Sequence, residues 1–582
     1  MIKGYPDLSS VCPGNSLILH VSTDAPAFRV DFYRQGTVLA YMAGSDWQPG
    51  QMAATPDYGS AATDWGWPGY EFPIPEEWPS GAYIAMFVER DANGNERLPD
   101  ESGPDGRDAK ALFVVRSAKP GASSSILYKV SLLTYHAYNF EGKRAAYCTG
   151  PDLTMTLRRP GGGTGGEVTF TPPNSPGSPR YPNGAPCPHN GNLDFYDPYD
   201  PIPPQHGSPR QTFTHWDAGF IAWLEANGYM VDYCTDVDIH ADLNFIRHYQ
   251  LLLSVGHDEY WSDGMRTHVE SFISSGGNVA FFSGNTCWSR VSFLDGNTAF
   301  HNDGLWSAWQ EGDAPRPENG LTGVSYRNAG GWWLGARDPV GFKIQNANHW
   351  ILNGTGLRDG DYLGHNTDPP LVGYECDGAA FTLDSSGIAI PTGQDGTPPG
   401  FLILGVGLLP GNGWNLPATE LYRQNEGIHA ATMGLYTNHG TVFTAATTDW
   451  AQVLAHGEER VGRITSNVLD RLGGRDEMGT VNYGMWLGNL TLGPGDSGVW
   501  FEDDVSPTKV RWFTAAPVNG LIDDFVVDDQ SVEITDVFYI LKGRRHEADG
   551  TGGTGSLQVN VRVRNLDEER PVTFEIYKAE TQ

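Results

Sequence analysis

Cysteine is scarce in this chain. Six cysteines (Cys12, Cys148, Cys187, Cys234, Cys287, Cys376) are spread over 582 residues without a CxxC pair. That spacing argues against a zinc site or a disulfide framework, so the thiols read as buried side chains of a reducing compartment; a Cys148 to Cys187 bridge stays open. Basic residues are few as well, 38 against 70 acidic, for a formal net charge of −32. A field of that sign repels phosphate backbones and anionic lipid, which removes nucleic acid and membrane surfaces from the expected partners. It also reads as a solvated acidic shell for a large protein. No run approaches the roughly 18 apolar residues of a membrane helix. The stretch from Met1 to Ser10 lacks the apolar core of a secretory signal, so a cytoplasmic location is expected.

Familiar catalytic signatures are missing too. There is no HExxH, no P-loop, no Rossmann glycine fingerprint and no GxSxG elbow. Glycine and proline, by contrast, are plentiful, at 73 and 40 residues. They fall mostly between strand-like runs, where they mark turns and long loops.

The chain is long enough for two to four domains. Residues 1–120 alternate strand-like runs with turn signals, at Ser16 to Val21, Phe28 to Tyr33, Gly81 to Arg90 and Ala111 to Arg116. With no competing helical period, an immunoglobulin-like β-sandwich is expected there. Residues 121–478 change rhythm. Leu127 to Thr134 reads as an apolar strand interrupted only by Lys129 and Ser131. After a Gly/Pro-rich stretch, Asp217 to Asn227 has helical spacing, Tyr229 to Tyr233 is strand-like, and Ala241 to His248 suits a short helix. Leu251 to Val255 is a buried strand, a helix capped by Ser262 or Asp263 follows, and Asn278 to Phe282 is the next strand. This β-α-β alternation implies an α/β domain with a parallel sheet covered on both faces. Further strands are expected at Leu371 to Glu375, Leu402 to Val406 and Thr441 to Ala446, with a closing helix at Arg460 to Arg471. Residues 479–582 return to strands and form a C-terminal β domain, so β-sandwich domains are expected on both sides of the α/β core. The rhythm suits glutamine-amidotransferase-like folds, but Cys287 lacks the glycine framing of their nucleophile, and cysteine catalysis is not expected.

In open parallel sheets, ligands bind beyond the carboxyl ends of the strands. Two such ends are rich here: Gly256-His257-Asp258-Glu259-Tyr260-Trp261 and Ser283-Gly284-Asn285-Thr286-Cys287-Trp288. Extended backbone puts His257 and Glu259 on one side. A right-handed crossover puts both tips on the same sheet edge. A carboxylate, an imidazole and the Asn285 carboxamide would then converge. A plainer reading gives Asp258 and Ser262 to helix capping and Tyr260 and Trp261 to packing.

The run Ser254 to Ser262 with Phe281 to Asn285 resembles the N,N-dimethylformamidase large (beta) subunit family. So do Thr134-Tyr135-His136-Ala137-Tyr138-Asn139, Asn227-Gly228-Tyr229, Thr235-Asp236-Val237-Asp238 and Val442-Phe443-Thr444-Ala445. The likeness runs from about residue 10 to 470. It implies a mononuclear Fe³⁺ held by two tyrosines and a glutamate, and hydrolysis of dimethylformamide to formate and dimethylamine. On these positions Glu259 and Tyr138 would be ligands. Tyr199 would be the second phenolate, with Tyr196 and Tyr181 as alternatives. His257 would neighbour the metal, Asn285 would orient the amide, and Glu375 would be an acid/base. Implied partners are a small amide substrate and either a small subunit or a homo-oligomer. The competing reading is a noncatalytic binding or assembly protein whose β-sandwiches grip glycan or another chain. A third is an amidotransferase-like scaffold with an altered site.

Overall fold

The structure is a computed structural model that describes residues 2–56, 64–97, 109–139, 141, 146, 154–164, 211–294, 296–303, 309, 315–332, 339–410, 414 and 429–474, and beyond these the strands of the last hundred residues with Asp496. Two compact units divide the chain, Met1–Gly474 and Arg475–Gln582. The molecule is mixed α/β, with more sheet than helix.

The first unit begins with two sheets. Ile2–Pro6, Ser16–Thr23 and Gly69–Pro73 form one, while Ala27–Gln35, Gly81–Arg90 and Lys110–Val115 lie within the other. Alternation explains their packing: Leu17, Leu19 and Val21 meet Phe28, Val30, Phe32, Tyr83 and Phe113 in one apolar cluster. On its other face the second sheet offers Ala82, Ile84, Leu112 and Val114 to the core of the residues that follow.

Those residues build a nine-stranded sheet. Its strands are β1 (Ile126–Val130), β2 (Asp232–Thr235), β3 (Leu251–His257), β4 (Asn278–Gly284), β5 (Phe342–Ile344), β6 (Tyr362–Leu363), β7 (Leu402–Leu408), β8 (Ala430–Asn438) and β9 (Gly440–Thr444), in the order β2-β1-β3-β4-β9-β8-β7-β5-β6. The strands from β2 to β9 in that order pair in parallel. The remaining four extend the sheet antiparallel. Successive residues leave the sheet on opposite faces. Tyr128, Leu253, Val255 and Phe282 join one apolar cluster, and Leu127, Leu252, Val279 and Phe281 join the other. Helices cover both faces, as near-continuous apolar strands require. Ala218–Ala226, Trp450–Ala455 and Glu459–Leu472 pack on the first, and Asp263–Ser274 packs on the second.

Three local expectations need correction. The run from Leu127 is not one strand to Thr134: it stops at Val130, and Leu132–Ala137 is a short helix. Asp236 accounts for the turn, because its Oδ2 takes the Leu133 N–H at 2.8 Å and removes that donor from any ladder. A helix at Asp236–Ala241 precedes the expected one, opened by a capping box in which Thr235 and Asp238 exchange hydrogen bonds. Lastly, the strand at Glu375–Gly378 starts where Leu371 to Glu375 was expected to end.

The second unit contains two antiparallel three-stranded sheets. One joins Met485–Leu492, Arg511–Pro517 and Val572–Glu580, and the other joins Ser497–Glu502, Val532–Lys542 and Ser556–Asn565. Among the described residues no helix is long and apolar enough to cross a membrane.

Candidate active site

The carboxyl ends of β3 and β4 lie side by side, with His257 opposite Gly284 in register. Two glycines permit this arrangement. Gly256 has φ +70°, and a Cβ there would fall 2.5 Å from the Cβ of Trp216; Gly284 lies so close to the Glu375 segment that a Cβ would meet the Glu375 carbonyl and the Thr448 nitrogen, each at 2.5 Å. No other residue type fits either place. Asn285 follows with φ 50°, a left-handed conformation that asparagine tolerates better than most residues.

Four predicted side chains meet just beyond these tips. The His257 Nε2 is 2.7 Å from Glu375 Oε2 and 3.5 Å from Glu259 Oε2. The Asn285 Nδ2 donates to Glu375 Oε2 at 3.0 Å and stands 3.4 Å from His257 Nε2. Tyr138 joins from the end of the Leu132–Ala137 helix, its hydroxyl donating to Glu259 Oε2 at 2.9 Å. Ser289 donates to the other Glu259 oxygen at 3.1 Å. All five principal groups are buried. Tyr199, Tyr196 and Tyr181 lie outside the described residues.

Electrostatics follow from that burial. Burial pushes Glu259 up to about 7; the Glu375 charge adds to the rise, while His257, Tyr138 and Ser289 pull against it. Burial opposes charge on His257, yet Glu375, with help from Glu259, outweighs it and holds the imidazole above its ordinary value. Asn285 Oδ1 is buried with no hydrogen-bond partner among the described residues. A buried acceptor left open costs about 1–3 kcal/mol, and a bound donor would recover it. The rings of Tyr138, Tyr374 and Trp216 stand 5.5, 6.0 and 6.4 Å from the imidazole.

Supporting residues surround this cluster. Asp258 does not cap the following helix, since its carboxylate binds Lys129 at 2.7 Å and Ser254 at 2.6 Å. Ser262 is the cap, accepting from the Met265 N–H at 3.1 Å. Trp261 and Tyr260 are packed in the core. Thr134 accepts the Glu259 N–H at 3.0 Å, and Arg159 donates to the His136 carbonyl at 2.7 Å at the end of the helix that carries Tyr138. Asp377, pushed up to about 8 by burial, accepts the N–H groups of Asn285 and Thr286 at 3.1 and 3.2 Å. Gln211 touches His257 Nδ1 at 2.9 Å. Sequence reasoning missed Gln211, Asp377 and Arg159, whose partners are distant in sequence. Lys129 did carry a signal, because a lone lysine in an apolar strand must find acids when buried.

Among the described residues no group of three or more His, Cys, Asp or Glu side chains is arranged to hold a metal ion. Glu259 and Tyr138 present adjacent, buried, hard oxygen donors, the type that suits a hard trivalent cation.

The carboxyl edge of the parallel strands thus gathers two carboxylates, an imidazole and a carboxamide in an α/β protein. Residues 25–462 match the model of the family described as N,N-dimethylformamidase beta subunit-like, C-terminal. That span is well over half of the chain, which belongs to this family. No curated protein matches it.

Proposed function

We propose that this protein hydrolyses the C–N bond of small, N-alkylated amides at the mouth formed by Tyr138, His257, Glu259, Asn285 and Glu375. The observation that carries the reading is the Tyr138 hydroxyl on the Glu259 carboxylate, 2.9 Å apart, beside the His257–Glu375 pair within the family-matched region. In this reading Tyr138, Glu259 and a second tyrosine, Tyr199 by its motif, would hold a mononuclear Fe³⁺. Bound there, the ion would polarise the amide carbonyl and make water a better nucleophile.

The chain's own groups supply the remainder. His257 Nε2 and Glu375 Oε2 lie 2.7 Å apart, close enough to pass a proton between them, and the pair can deliver one to the departing amine nitrogen, whose lone pair must be protonated as the C–N bond breaks. Asn285 offers its open Oδ1 to an N–H or O–H of the reacting groups. The rings around His257 keep bulk water out and accept alkyl groups.

The finer architecture belongs to the same proposal: a glutamine-amidotransferase-like core at 121–478, between an immunoglobulin-like β-sandwich at 1–120 and a C-terminal β domain at 479–582. A small subunit or further copies of the chain would complete the assembly in the cytoplasm. Incubating purified protein with small formamides and acetamides and measuring released amine tests the activity. Turnover of at least one N-alkyl formamide is expected, and inertness of iron-loaded protein toward the whole panel would sink the reading.

A further inference from the structure

The proposed chemistry needs one particular nitrogen of His257 to handle the proton, and the surroundings of the other nitrogen decide which. The His257 Nδ1 faces Gln211 Oε1 at 2.9 Å. The same oxygen faces the indole Nε1 of Trp216 at 3.3 Å. An indole N–H can only donate, so the Gln211 atom between them must be the carbonyl oxygen. An acceptor at that place obliges His257 Nδ1 to carry a hydrogen. The Gln211 amide nitrogen then points the other way and donates to the Tyr374 hydroxyl at 3.0 Å. Gln211, Trp216 and Tyr374 are all buried, so bulk water offers no alternative partner. Trp216 is itself pressed against Gly256, the residue just before His257, which ties the clamp to the strand end that carries the imidazole.

We propose that Gln211, oriented by Trp216 and Tyr374, fixes the proton of His257 on Nδ1 and makes Nε2 the nitrogen that exchanges protons with Glu375. Gln211 is a positioning residue in this account: it touches the imidazole and not the reacting atoms. A neutral amide suits the task better than a carboxylate, because it sets the tautomer without adding a third negative charge beside Glu259 and Glu375. The effect on turnover rests on the amide-hydrolysis reading, whereas the tautomer itself does not.

The test uses full-length protein labelled with ¹⁵N-histidine, with the His257 ring assigned through the signals lost in His257→Gln. In the wild type the proton is expected on Nδ1. Gln211→Met, which keeps length but offers no acceptor of that kind, should shift the ring away from the Nδ1–H form. It should also lower kcat about 10- to 100-fold with little change in KM, while Gln211→Glu keeps the Nδ1–H form. A bare Nδ1 in the wild type overturns the proposal, as does an unchanged ring spectrum in folded Gln211→Met. Should Gln211→Met fail to fold, the ring in Gln211→Glu decides, and loss of the Nδ1 proton there counts against the clamp. If the wild type hydrolyses no amide, the functional reading fails, and the ring spectrum still settles the tautomer.

Discussion

Two buried charge clusters sit a residue apart in sequence and behave oppositely. Around Lys129 every oxygen is occupied. Asp258 binds the ammonium and Ser254, while Asp236 binds the ammonium and the Leu133 N–H. Trp261 lies 5.0 Å from the same charge. Burial works against the lysine's charge, but the two carboxylates more than restore it and hold its pKa above the ordinary value. Around Glu259 the cluster is not closed in this way. Two carboxylates share one imidazole, and the Asn285 oxygen has no hydrogen-bond partner among the described residues. A closed cluster fixes a backbone. An open one, kept at the cost of poor solvation, is where a ligand can earn its place.

Variants can break this comparison. The largest effect is expected for Glu259→Ala, which should lose bound iron and reduce amide turnover by at least about 100-fold with its thermal unfolding little changed; retained iron and activity would remove Glu259 from the site. Lys129→Met should do the reverse. Leaving Asp236 and Asp258 without their cation should cost about 3–5 kcal/mol of stability, read from denaturant unfolding, and a neutral outcome would mean the cluster is not a structural pedestal. Asn285→Ala is expected to lower turnover by about 10- to 100-fold, and wild-type rates in that variant would show that the open oxygen meets nothing in the reaction.

The smallest effect concerns a third buried acid. Asp217 accepts the hydroxyls of Tyr128 and Tyr135, and burial pushes it from 3.8 up to about 7 against the pull of those two hydrogen bonds and of Lys129. The folded state then holds the proton more tightly than the unfolded chain. Its contribution is full below about 3.8 and is lost as pH rises through about 7. Thermal unfolding of Asp217→Asn should therefore show a flatter pH dependence than the wild type over that window; parallel curves would contradict the shift.

Much of this was legible in the residues. The apolar runs at β3 and β4, with a capped helix between them, marked a parallel pair whose tips carry His257 and Asn285. Glu375 entered through the family resemblance, and its strand begins four residues later than the apolar pattern suggests. What could not be read were partners set by tertiary contact. The break after Val130 depends on Asp236, more than a hundred residues away, and the Gln211 clamp depends on Trp216 and Tyr374 meeting across the strand end. The Thr235-x-x-Asp238 capping box was visible and passed over. The second tyrosine, Tyr199, falls outside the described residues and rests on the family motif alone.

Metal analysis with the visible spectrum of purified full-length protein, wild type beside Tyr138→Phe, bears most directly on the central claim. One iron per chain is expected, with a tyrosinate-to-ferric charge-transfer band that weakens or shifts when Tyr138 loses its hydroxyl. Protein that stays colourless and iron-free after iron loading, or a band unaltered by the substitution, would contradict it.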